Sequence, residues 1–342
     1  MKDAMEIPTE LAPVADSLAS GLARVASVFD GALASDYPPV SRLCAHVERY
    51  RGKMLRPSLV LLCGAAAHPL AGSTPIEKLC TGVHDVLGAV VEMVHMATLV
   101  HDDVLDEADV RRRAATVNRL HGNEAAVMLG DFLIASSFKL CASLDDPRFT
   151  RAVGRASAVL CEGELLQLHH REDYSLDEPT YFEILDRKTA SLIACACEVG
   201  AVASGASPTD VESCVRYGRS LGLAFQIQDD ILDLTGREET VGKSVGKDIE
   251  KGKATLPLIH HLSRADEARR AKTLLALAEA PKDVGRAAEV VEALRATDSL
   301  SYSRGVAREL VNAARQAIAT LTPSPAASML TAMADAVISR DH

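Results

Sequence analysis

The chain has 342 residues, 48% of them apolar, which is ample for a large core, and its net charge of −10 leaves no general footprint for nucleic acid. Aromatic residues make up 4% and tryptophan is absent, which also excludes a base-stacking surface. The eight cysteines form no CxxC pair and sit mostly among Ala, Leu and Val, so no disulfide framework is indicated and a reducing cytoplasm is expected.

The opening stretch MKDAMEIPTELAPVADSLAS is acidic and lacks an apolar h-region, so it reads as neither a signal nor a transit peptide. Residues 1–20 are expected to attach loosely, and 21–342 to form one all-α domain. Ala- and Leu-rich segments of helical spacing, cut by HPLAGSTP, SLDDPRF, SLDEPTY and SGASPTD, predict many helices joined by short loops. RGKMLRP, 51–57, predicts a helix start with Lys53 and Arg56 three apart and Pro57 early in the first turn. VLGAVVEMVHMATLVHDD is apolar on nearly all sides, which predicts a central buried helix; Glu92 and His95 make it too polar to span a bilayer. It runs into HDDVLDEADVRRR, 101–113, where Asp102 and Asp106 share one helix face, and His95 lies two turns earlier on that face. Two carboxylates so close repel each other unless a cation sits between them, and the arginines beyond suit a phosphate. RKTASL, 187–192, supplies Lys188 and Thr189. GLAFQIQDDILDLTG, 222–236, repeats the four-residue spacing with Asp229 and Asp233. GKSVGKDIEKGKATLP, 242–257, adds Lys243, Lys247, Lys251 and Lys253 without matching a Walker-type loop. Each stretch alone is an ordinary solvated helix end or basic loop. Together they could bind two diphosphates, one through metal and one directly.

In this order, Gly52-Lys53-x-x-Arg56-Pro57, HMATLVHDDVLDEADVRR, Gly130-Asp131, GELLQL (163–168), Lys188-Thr189-Ala190, FQIQDDILD (225–233), GKSVGKD and GKATLP resemble the trans-isoprenyl diphosphate synthases, or polyprenyl synthetases. The likeness is greatest to long-chain, octaprenyl-type members. It implies a single all-α bundle of the isoprenoid synthase type around a deep central cavity, a homodimer, and two aspartate motifs facing each other at the cavity mouth. It implies a Mg²⁺-dependent prenyltransferase that adds isopentenyl diphosphate head-to-tail to an allylic primer, farnesyl or geranyl diphosphate. Asp102, Asp106 and Asp229, supported by Asp233, are expected to hold roughly two to three Mg²⁺ ions. Arg111, Lys188, Lys243 and Lys253 should bind the allylic diphosphate; Lys53, Arg56, His95 and Arg112 should bind isopentenyl diphosphate; Thr189 and Gln226 should line the reacting carbons. Asp102, Asp106, Asp229, Lys188 and Lys243 form the expected catalytic set.

Family members that make short products place an aromatic near Ala97-Thr98; here that path is open, so a C30 to C50 product is expected, with a geranylgeranyl or farnesyl diphosphate synthase as the alternative. No transmembrane segment is expected, only transient membrane contact as product leaves. In one place the sequence departs from the family: Arg113-Ala114-Ala115 replaces a Gly-basic-Pro pattern, which bears on which arginines touch which diphosphate. A terpene cyclase shares the fold and the first aspartate motif but has a different second metal motif. A non-catalytic partner subunit lacks intact motifs, and a di-metal carboxylate bundle requires Glu-x-x-His pairs.

Overall fold

Apolar residues at helical spacing produce helices along nearly the whole chain. The computed structural model describes residues 11–47, 52–111, 114–236, 246–280 and 284–339. In chain order these form α1 (Ala12–Leu33), α2 (Pro38–Val47), α3 (Leu55–Ala67), α4 (Ile76–Leu79) and α5 (Gly82–Leu105). A short hairpin follows, β1 (Val110–Arg111) and β2 (Ala114–Ala115), paired antiparallel with Arg111 opposite Ala114. Next come α6 (Val117–His121), α7 (Asn123–Cys141), α8 (Pro147–His169) and α9 (Glu178–Leu185), which runs into a π-helical segment, Asp186–Ala190. The remainder is α10 (Ser191–Ala203), α11 (Pro208–Thr235), α12 (Lys247–Glu250), α13 (Leu256–Arg264), α14 (Glu267–Glu279), α15 (Val284–Arg295), α16 (Ser299–Ile318) and α17 (Pro325–Ile338). The all-α expectation is met.

Local chemistry sets several of the helix starts. Asp177 accepts the Thr180 amide at 2.9 Å at the head of α9, and Asp266 accepts the Arg269 amide at 2.9 Å at the head of α14, each satisfying one orphan N–H. On α1, Val14, Leu18, Gly21, Val25 and Phe29 are buried at intervals of three and four. Val14 and Leu18 belong to the span 1–20 in which the sequence predicts loose attachment; from Ala12 onward that span is helix.

The chain divides into two compact units. The first comprises Met1–Ser157, Leu192–Gly218 and Gln316–Ala332; the second comprises Ala158–Ser191, Arg219–Arg315 and Met333–His342. In the first unit α5 is central, packed by α1, α3 and α7, with Leu87, Met93 and Met96 fully buried. Each such side chain contributes about 1.5–3 kcal/mol by leaving water. Among the described residues α5 is the one helix long and apolar enough to cross a membrane, and 72% of that window is buried inside the protein. That is the central buried helix the sequence predicts. The second unit has its own core, in which Tyr181, Ile184, Ile227, Ile231, Leu256 and Leu277 are buried together.

Candidate functional site

Helix periodicity divides α5 into two faces. Glu92, Met93, Val94, Met96, Ala97, Val100 and Asp103 are buried, whereas His95, Thr98, Leu99 and Asp102 are only partly so. The second group is spaced i, i+3, i+4 and i+7, and Asp106, the C-cap residue, continues it. His95, Asp102 and Asp106 therefore share one stripe, as their spacing predicts. Ala97 does not share it: it is 0% exposed and packed, while its neighbour Thr98 stands on the stripe and donates its hydroxyl to the His95 carbonyl at 2.8 Å.

Asp103, next to Asp102, turns inward. It is 1% exposed and accepts the Arg111 Nε–H at 2.8 Å. The turn between them is closed by Thr116, whose hydroxyl donates to the Ala108 carbonyl at 2.6 Å, and by Asn118, whose amide donates to the Asp103 carbonyl at 3.1 Å. Glu107 adopts a left-handed φ of 49° to make the bend. Arg111 is thus held beside the acidic end of α5, with its Nε committed to Asp103. The departure from the family pattern begins at Arg113, which lies with Arg112 outside the described residues.

Arg56 enters at the start of α3, after Met54 in the left-handed region with φ 52°. Its Nε is buried with no hydrogen-bond partner, and burial lowers its guanidinium pKa to about 10, against the opposing charge of Glu92. A buried Nε–H without an acceptor, on a partly buried arginine, suits an anion. Lys53, just before it, is exposed.

In the second unit the sequence-predicted residues converge. Lys188 and Thr189 lie on the π-helical segment, which a Cβ on Gly163 would approach to 2.5 Å of the Lys188 backbone nitrogen; only glycine lets the segment pack so closely on α8. Lys188 Nζ donates to Glu164 at 2.7 Å and to Gln167 at 2.9 Å, two α8 residues three apart within GELLQL. Thr189 donates to Gln226 Oε1 at 3.1 Å. Lys188, Gln226 and Lys253 line one cavity of about 90 Å³ together with Tyr181, Asp230 and Asp248. The loop carrying Lys253 is stitched down by the Glu172 amide donating to the Gly252 carbonyl at 2.8 Å, and both residues are left-handed, with φ 64° and 68°. Lys243 lies outside the described residues.

In the second aspartate motif two carboxyls are held above their usual range. Burial and the nearby Asp248 push the Asp230 carboxyl up to about 8, although Tyr181 and Gln226 bond to it. The same two causes raise Asp233 to about 6, although its oxygens accept the Lys247 and Asp248 amides at 3.2 Å each. Asp229 is partly buried one turn before Asp233. Among the described residues no three His, Cys, Asp or Glu side chains converge into a protein-only metal cage. Two carboxylates one helical turn apart, without a protein-only cage, fit a hard divalent cation that keeps water and takes its other oxygens from a substrate.

Sequence reasoning missed Glu92, Asp103, Glu164, Gln167, Tyr181, Asp230 and Asp248. A signal existed for six of them: Glu92 is a lone acid in an apolar helix, and Asp103, Glu164, Gln167, Asp230 and Asp248 lie inside matched motifs.

Comparison with known proteins gives the same picture. The family model for polyprenyl synthetase matches residues 38–294. The chain is 34% identical over 327 residues to heptaprenyl diphosphate synthase component 2 of Geobacillus stearothermophilus, covering 95% of this chain and 97% of that one. It is 34% identical to octaprenyl diphosphate synthase of Escherichia coli over 91% and 93% of the two chains. It is 36% identical to a short chain isoprenyl diphosphate synthase of Methanothermobacter thermautotrophicus over 90% and 93%. Among solved structures, a decaprenyl diphosphate synthase from Rhodobacter capsulatus superposes with a TM-score of 0.87 at 34% identity over 96% of this chain and 98% of that one. A polyprenyl synthase from Caulobacter crescentus complexed with calcium and isoprenyl diphosphate gives 0.87 at 31% over 97% and 98%. With most of its length so matched in sequence and in structure, the chain belongs to the polyprenyl synthetase family and is a prenyltransferase of the all-α isoprenoid synthase fold.

Proposed function

We propose that the enzyme condenses isopentenyl diphosphate head-to-tail with an allylic diphosphate, geranyl or farnesyl, and releases an all-trans polyprenyl diphosphate of C30 to C50. The observation that carries this reading is the convergence of Lys188, Gln226 and Lys253, distant in sequence, upon one cavity beside the second aspartate motif.

Asp102 and Asp106 in the first unit would hold divalent cations, and so would Asp229, with Asp233 in support, in the second; hard oxygen donors that leave room for water suit Mg²⁺. Bound there, such ions would supply positive charge against that gathering on the departing diphosphate. The chain's own cations share that task. Lys188, aimed by Glu164 and Gln167, binds the allylic diphosphate with Arg111, Lys243 and Lys253. Lys53, Arg56, His95 and Arg112 bind isopentenyl diphosphate; for Arg56 the unused buried donor supports this role. The allylic C–O bond breaks with its electron pair passing to diphosphate, and the alkene of isopentenyl diphosphate attacks the allylic carbon. A proton then leaves to the released diphosphate, and the chain is five carbons longer. Thr189 and Gln226 line the reacting carbons. No protein nucleophile is required, and apolar walls keep water from the cation.

Product length follows the open stripe of α5. Thr98 and Leu99 form the wall next to Asp102, and packed Ala97 stands behind it; α5 carries no aromatic residue to close the path. The relative from Methanothermobacter thermautotrophicus favours a short-chain alternative. A homodimer in the cytoplasm is the working assembly; the relative described as a component 2 makes a heteromer the competing outcome, which light scattering of the purified chain decides.

The test is incubation with Mg²⁺, labelled isopentenyl diphosphate and each primer, followed by chromatography of the products. Asp102→Ala and Asp229→Ala should each lower turnover by about a thousand-fold or more with folding intact, because the chemistry is mainly electrostatic. Cyclised hydrocarbons, or near-normal turnover in either variant, would overturn the proposal.

A further inference from the structure

Four polar side chains of the second unit form one continuous hydrogen-bond chain. Tyr181, on α9 and 3% exposed, donates its hydroxyl to Asp230 Oδ2 at 2.6 Å. Asp230 Oδ1 accepts from Gln226 Nε2 at 3.0 Å, and Gln226 Oε1 accepts the Thr189 hydroxyl at 3.1 Å. Gln226 and Asp230 are one turn apart on α11, while Tyr181 and Thr189 come from α9 and the π-helical segment that continues it. These bonds therefore fasten α9 and its π-helical continuation to α11 twice, once through Tyr181 and once through Thr189, beside the cavity that Tyr181, Gln226 and Asp230 line.

The bonds also have a direction. A phenol has one hydrogen to give, and an amide offers hydrogens from its NH₂ side and accepts on its carbonyl side. With the Tyr181 hydroxyl on one oxygen of Asp230 and the Gln226 amide NH₂ on the other, the Gln226 carbonyl faces Thr189, whose hydroxyl then donates to it. A π-helical insertion displaces the register of the residues after it, and such insertions recur at functional sites. Here the insertion carries Thr189, and the hydrogen-bond chain is what holds that residue's hydroxyl at a set angle.

We propose that Tyr181 and Asp230 are positioning residues of the condensation, orienting the Gln226 amide and, through it, the Thr189 hydroxyl. This rests on the reading that Gln226 and Thr189 line the reacting carbons. Neither Tyr181 nor Asp230 touches the substrate in this role; their effect is to fix what Gln226 presents.

The experiment is a double-mutant cycle of Tyr181→Phe with Thr189→Val, measuring kcat and both KM values with isopentenyl diphosphate and geranyl diphosphate. Tyr181→Phe removes one oxygen and keeps the packed ring. It should lower kcat about ten-fold, the loss expected of one buried hydrogen bond, and leave both KM values within about two-fold. Thr189→Val should cost distinctly less in the Tyr181→Phe background than in the parent, since the hydroxyl is already released. An unchanged kcat, a loss confined to KM, or strictly additive effects would overturn the positioning role; additivity is what a merely structural tyrosine gives. If Tyr181→Phe does not fold, Asp230→Asn, which keeps the volume and alters the donor pattern, takes its place in the same cycle: a lowered kcat with non-additivity supports the role, and an unchanged kcat or additivity overturns it. A parent enzyme that elongates no primer overturns the function itself, whereas an active parent with an indifferent Tyr181→Phe overturns only this inference.

Discussion

Removing Arg111 should destabilise the protein more than removing Asp103, although both substitutions break the same 2.8 Å pair. The reason is unequal exposure: the Asp103 side chain is 1% exposed and that of Arg111 is 26%. Breaking a fully buried pair typically costs about 3–5 kcal/mol, because the surviving charge stays buried. In Asp103→Ala the surviving guanidinium can turn to water, so the cost falls to about 1–2 kcal/mol after solvent screening. In Arg111→Ala the surviving carboxylate has no such exit, and about 3 kcal/mol is expected. Urea unfolding of both single variants and the double variant separates these terms, since the double variant lacks both charges and should be less destabilised than the two single losses added together. Turnover gives a second readout. In Asp103→Ala the freed Arg111 should raise the KM for the allylic primer more than that for isopentenyl diphosphate. Equal costs for the two single variants, or simple additivity, would refute the account of Asp103 as the residue that holds Arg111.

Three further outcomes are expected. Burial lowers the His84 pKa from 6.5 to about 4, so the folded state keeps it neutral while the unfolded chain takes up a proton below 6.5; stability should fall as pH drops through this window. The loss is about 2 kcal/mol between pH 7 and pH 5, and His84→Gln should flatten it in urea titrations; an unaltered slope would count against the assignment. Gly163→Ala places a Cβ at 2.5 Å from the Lys188 backbone nitrogen and should cost about 1–3 kcal/mol together with most of the turnover, whereas normal kinetics would show that the π-helical segment yields freely. Thr98→Phe should shorten the product to C20 or below with the first condensation preserved, whereas Ala97→Phe, in a packed position, should chiefly lower the melting temperature; unchanged product length in a folded Thr98→Phe enzyme would remove Thr98 from the channel wall.

The helices were legible because burial enforces period. The apolar run from Val86 to Val100 admits hardly any structure but a central helix, and the four-residue spacing of Asp102 and Asp106 places them on one face whatever surrounds them. Ala97 and Thr98 show where that legibility ends. Consecutive helical residues point roughly 100° apart, and the sequence treats the two as one open step of a path, whereas packing gives Thr98 to the stripe and Ala97 to the core. The same holds for Lys188, which is visible as a cation in RKTASL, while its two acceptors arrive from α8 through a contact that only Gly163 permits. Partners brought by tertiary approach leave no periodic trace.

Each aspartate motif begins with two adjacent acids, and helix geometry forbids both from facing the same way. In the first unit Asp102 lies on the partly open stripe and Asp103 is 1% exposed, bonded to Arg111. In the second unit Asp229 is partly buried and Asp230 is 5% exposed, bonded to Tyr181 and Gln226. Both motifs thus divide in the same way: the outward acid stays partly open, and the inward one is buried and bonded to a neighbouring side chain. A buried carboxylate is costly unless its bonds are satisfied, so each inward acid demands its partners, Arg111 in one case and Tyr181 with Gln226 in the other. The doubled aspartate, which in sequence looks like simple redundancy, is in the fold one partly open acid and one buried acid fixed by its hydrogen bonds.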